Sequence, residues 1–157
     1  MPGRAFSACR ESPSRPLSRC VTSGSWWSTA TGPGWWSEVV TARLRSDERP
    51  WVTHELVVLS SWLERLRGLL GTGRGARPVL LARCGSVHTF GMRYPIDVAF
   101  IGERGEVLRV RRSVAPGCLC SCPGAECVAE RPAGEDEWLV EGEHLWIVSV
   151  GANAAGA

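Results

Sequence analysis

The chain has 157 residues and a formal net charge of +2, a length that suits one domain with a single ordinary core. The near balance of charge leaves no nucleic-acid footprint, and no apolar run approaches the ~20 residues that cross a bilayer as a helix. All 18 basic side chains are arginine and glutamine is absent, a bias that reads as GC-rich coding rather than selection for arginine chemistry.

Residues 1–49 are dominated by Arg, Ser, Pro and Gly, with Trp26-Trp27 and Trp35-Trp36 as aromatic doublets. This composition predicts a disordered N-terminal extension, with room for one short element over 38–44. The first thirty residues hold no apolar segment of secretory type, so a cytoplasmic location is the expectation. Residues 50–150 form the expected globular domain, and 151–157 a flexible tail. No heptad is present, and a monomer is expected.

Trp51 to Leu59 predicts a first strand. Ser61-x-x-Glu64 is a capping box, and Leu63, Leu66 and Leu70 give a helical stripe over 62–70 with Gly71 as its stop. Thr72 to Arg77 is a Gly/Arg loop without the flanking strand and Lys-Ser/Thr ending of a phosphate cradle. Pro78 to Cys84 reads as a short buried strand.

From Val87 to Met92 the side chains alternate, with His88, Phe90 and Met92 on one face. Pro95 marks a break or an edge. Ile96 to Ile101 is apolar on both faces except for Asp97, so a carboxylate is placed inside a buried strand. Such a group must pair or shift its pKa, and Arg93, His88 and local backbone N–H groups are the expected partners. Two readings stay open: Asp97 as a structural pin, or His88, Thr89, Arg93, Asp97 and Glu130 as a polar cluster lining a pocket. Gly102 and Gly105 bracket a hairpin turn into a return strand, Glu106 to Arg112. Val128 to Glu130 and Gly142 to Val150 predict two further strands, and 135–140 a single helical turn.

The stretch HTFGMRYPIDVAFIGERGEVLRV, with RLRGLLG upstream (Arg65 to Gly71) and A-x-x-V-A-E-x-P-A-G downstream (Ala125 to Gly134), resembles the domain of unknown function 192 family of bacteria and archaea over roughly residues 52–148. The resemblance implies a small mainly β domain and no assigned reaction. The expected fold is therefore mainly β, a compact sandwich or distorted barrel of short strands with one or two short helices.

Four cysteines lie in C-L-C-S-C-P-G-A-E-C. On an extended segment Cys118, Cys120 and Cys122 share a face, and Cys127 follows a Pro-Gly turn. Three readings stay open: small buried hydrophobes, a disulfide such as Cys84 with Cys122, or a zinc site drawn from Cys84 and the four. No G-x-S-x-G elbow or dinucleotide pattern is present. The function expected is a non-catalytic binding or accessory domain without cofactor. The alternative is an enzyme or a redox or metal protein built around His88, Arg93, Asp97 and the cysteines.

Overall fold

Side-chain alternation and two-sided burial turn most of the chain into strand. The computed structural model describes residues 15–16 and 38–154. Its strands are β1 (Arg15–Pro16), β2 (Glu38–Ser46), β3 (Thr53–Leu59), β4 (Val79–Ala82), β5 (Ser86–His88), β6 (Ile96–Gly102), β7 (Val107–Val114), β8 (Leu119–Ser121), β9 (Ala125–Pro132) and β10 (Leu145–Ala154). A short helix, α1 (Trp62–Arg67), interrupts them.

Eight strands make one sheet in the order β1-β10-β2-β3-β4-β9-β6-β7, and β5 pairs with β8 in a separate ribbon. Every pairing is antiparallel except β3 with β4. A parallel pair needs a crossover, and here α1 and the loop after it supply it. The sheet rolls toward a barrel without closing. At one corner Glu106 bridges His144, the Val107 N–H donates to the Glu143 carbonyl at 2.8 Å and the Leu145 N–H to the Gly105 carbonyl at 2.9 Å.

Period-two geometry gives each strand two faces, and both faces of the central strands are covered. One core gathers Leu44, Leu56, Leu80, Ala99, Ile101, Ala129, Trp138 and Leu145. The other holds Leu81, Ile96, Val98, Phe100 and Val128 with Val87 and Cys120 of the small ribbon and Cys122 just after it. β6 is buried along its whole length. The hairpin turn closes with Gly105 at φ +88° and its N–H donating to the Gly102 carbonyl at 3.0 Å.

Several expectations are corrected. The folded domain does not start at residue 50, because β2 lies between β10 and β3, with Leu44 fully buried. Residues 1–14 and 17–37, with the tryptophan doublets, lie outside the described residues. The final strand runs to Ala154, so the predicted tail from 151 is largely sheet. The helix stops at Arg67 rather than Leu70, because Gly68, at φ +47°, is its cap. Residues 135–140 form no helical turn, and Phe90 and Gly91 turn away from β5.

Candidate functional site

The capping box written in the sequence forms: Ser61 Oγ accepts from the Glu64 N–H at 3.2 Å, and the Glu64 carboxylate accepts from the Ser61 N–H at 3.0 Å. Yet no residue of α1 is buried, and Trp62, Leu63 and Leu66 are exposed. Arg65 ties the helix down by donating to the Ala82 and Arg83 carbonyls, both at 2.9 Å. Behind it, Thr72 Oγ1 donates to the Leu69 carbonyl at 2.7 Å and lies 2.5 Å from the buried Tyr94 hydroxyl. These contacts bolt the segment after α1 onto the sheet.

What that segment covers is Glu130. Val128 and Glu130 project from the same face of β9, opposite to Cys127 and Ala129, and Glu130 is 3% exposed. Its carboxylate accepts the Leu69 N–H and touches no cationic side chain among the described residues. Burial therefore dominates and pushes its pKa from 4.5 up to about 7. Gly68 permits the close approach. A Cβ there would lie 2.7 Å from Glu130 Oε2, and the positive φ disfavours any side chain. Gly68→Ala is expected to cost about 1–3 kcal/mol in a denaturant melt, through backbone strain and displaced carboxylate. A melt matching the parent would remove the glycine from this account.

Glu130 and His88 line one cavity of about 330 Å³. Leu66, Met92, Ile96 and Leu119 contribute its apolar wall, and Arg65, Arg67 and Arg83 its cations. His88 pairs with Leu119 across the small ribbon and stacks on Phe90 at 5.7 Å between ring centres. Its Nδ1 is buried with no protein partner among the described residues.

The predicted polar cluster thus divides. Asp97 belongs to the opposite side of β6, where it stands directly across from Arg131 of β9. Arg131 Nε meets Asp97 Oδ2 at 3.0 Å, Arg112 Nε reaches the same oxygen at 3.2 Å, and the Ser113 N–H donates to Oδ1 at 2.9 Å. The expected partners Arg93 and His88 are replaced by Arg131 and Arg112. Arg93 is exposed and lies outside the cavity wall. Thr89 is buried and pins the turn before β8. Its Oγ1 donates to the Ala115 carbonyl at 2.7 Å and accepts the Cys118 N–H at 2.8 Å.

The cysteines divide too. Cys120 and Cys122 pack in the core beneath the ribbon with Cys84 and Cys118 at its edge, whereas Cys127 faces the other core. Cys118, Cys120 and Cys122 therefore pack on one core, and Cys127 does not join them. Among the described residues no three metal-ligating side chains converge, and Cys84, Cys118, Cys120, Cys122 and Cys127 are free thiols. Burial pushes the Cys127 thiol up to about 11, which leaves almost no thiolate at neutral pH. Iodoacetamide at pH 7.5 is expected to leave Cys127 unmodified in the folded chain and to label it after denaturation. Native labelling of Cys127 as fast as of half-buried Cys84 would contradict this.

No family model matches the chain, and no curated protein does. Two solved structures resemble it. One is a candidate transcription regulator from Sinorhizobium meliloti 1021, with 20% identity and a TM-score of 0.55 over 73% of this chain and 96% of that one. The other is a protein of unknown function from Novosphingobium aromaticivorans DSM 12444, with 14% identity and a TM-score of 0.53 over 74% of this chain and 96% of that one. At these identities the likeness concerns the mainly β fold. No helix among the described residues is long and apolar enough to cross a membrane.

Proposed function

We propose that this protein is a small-ligand-binding domain whose site is the cavity over Glu130. The observation that carries the reading is a carboxylate buried at a cavity with one backbone N–H and no cation among the described residues to satisfy it. A core position used only for packing would be apolar. An unpaired buried acid costs stability, and such costs are kept where function needs them. A concave, mostly apolar site with a few polar groups is the usual form of a small-molecule pocket.

The same reading includes membership of the domain of unknown function 192 family. It is supported by where the three separated motifs fall. RLRGLLG supplies Gly68 and Leu69, the central stretch supplies His88 and Met92, and V-A-E-x-P-A-G supplies Glu130.

Fragment screening of the full chain by nuclear magnetic resonance tests the proposal, since removing residues before 50 would delete β2. Small amphipathic fragments are expected to shift the Met92 methyl and His88 ring signals. A library in which every binder leaves both unmoved would sink it. A catalytic reading is favoured by a buried carboxyl, whose pKa burial raises to about 7, lining the same cavity as a histidine. Turnover of a bound ligand that stops in Glu130→Gln would decide for it.

A further inference from the structure

The charges around the cavity are segregated. Glu130 is its sole carboxylate and lies at the buried end, while Arg67 and Arg83 are exposed at the mouth and Arg65 is half-buried beside them. Met92, Ile96 and Leu119 are among the apolar residues that line the same cavity. Arg65 and Arg67 spend some donors on backbone carbonyls, Arg65 on Ala82 and Arg83 and Arg67 on Leu70. A guanidinium carries five donors, so both retain N–H groups for a ligand.

Resting on the pocket reading above, we propose that the cavity takes a zwitterionic aliphatic amino acid, with its ammonium against Glu130 and its carboxylate among the mouth arginines. Three features select this class. The Glu130 carboxylate, buried with no cationic partner among the described residues, calls for a donor group, and an ammonium offers three donors and no acceptor. A plain alkylamine would bring its charge past Arg65, Arg67 and Arg83 with nothing to offset the repulsion. A plain fatty acid would satisfy the arginines and leave Glu130 facing methyl groups. A zwitterion answers both ends, and its methylene chain meets the apolar wall.

Isothermal titration calorimetry on the full chain with 6-aminohexanoate, hexylamine, hexanoate and hexanol tests this, with four- and eight-carbon ω-amino acids to vary the span. The best ω-amino acid is expected to bind at least about tenfold more tightly than hexylamine, hexanoate or hexanol. Glu130→Gln is expected to lose most of that margin while leaving hexanoate unchanged. The paired variant Arg67→Gln, Arg83→Gln should weaken the ω-amino acid and spare hexylamine. Hexanoate or hexanol binding as tightly as every ω-amino acid, with the Met92 methyl shifted, would overturn the ligand class and leave the pocket reading intact. Absence of any Met92 shift across the series would overturn the ligand class as well, and a fragment library equally silent there would remove the pocket with it.

Discussion

Replacing Asp97 with alanine is expected to destabilise the domain by about 3–5 kcal/mol, the usual cost of breaking a buried ion pair from one side. Asp97 is fully buried, and its carboxylate accepts from Arg131 and Ser113 and forms an ion pair with Arg112, groups that come from two neighbouring strands. On β9, Arg131 is 8% exposed, and its remaining N–H groups donate to the Glu137 and Asp136 carbonyls at 3.2 and 2.9 Å. The guanidinium also lies 4.6 Å over the Trp138 ring. Alanine would strand that charge in the core. On β7 the pairing slips between Ile96 and Val98, so Arg112 and Ser113 bulge opposite Asp97, with Ser113 at φ +51°. A bulge leaves a ladder N–H without its strand partner, and the carboxylate takes it.

The order of effects is the discriminating result. Asp97→Asn can still accept from Ser113 and is expected to cost less than alanine. Arg112→Ala should cost least, since its side chain is 42% exposed and Arg131 remains in place. Urea melts of the three variants check this. A parent-like melt for Asp97→Ala, or an Arg112→Ala loss of equal size, would contradict the pin.

Replacing Glu130 with glutamine is expected to stabilise the protein, and only above acidic pH. The carboxyl has an ordinary value of 4.5 and about 7 in the fold. Below about pH 4.5 both folded and unfolded chains hold the proton, and the group contributes no pH dependence. Between there and about 7 the unfolded chain sheds a proton that the folded chain keeps, so stability falls as pH rises. Above about 7 the loss is complete, and the spread of values corresponds to about 3 kcal/mol. Glutamine does not titrate, and its side-chain oxygen can still accept the Leu69 N–H. Paired melts of parent and variant at pH 5, 6, 7 and 8 should therefore diverge steadily and then run parallel. A constant gap across that range would mean that Glu130 is not raised.

The patterns carried by neighbouring residues were legible in the sequence. Ser61 and Glu64 set the helix start, Gly102 and Gly105 set the hairpin, and the apolar run around Asp97 showed a carboxylate inside a buried strand. Each depends on contacts within a few residues, where backbone period and turn chemistry decide the outcome. Residues 38–44 show room for a short element, with Arg43 and Arg45 exposed and alternating with buried Ala42 and Leu44, but its place inside the sheet is not visible in the sequence. Arg43 pairs with Glu55 of β3, a partner that appears only once the strands lie side by side.

The site was decided by the same kind of distant pairing. Asp97 was read with Arg93 and His88 because they are near in sequence, whereas strand register puts Arg131 across from it. Cys127 was grouped with Cys118, Cys120 and Cys122 by spacing, yet it turns to the other face of a different sheet. Glu130 stands in the expected pocket cluster with His88, but its burial under Gly68 and Leu69 is set by the segment that packs over it. A strand's own period says which residues share a face. Which face is buried, and against what, is set by the strands and loops that pack on it, and those contacts exist only in the assembled sheet.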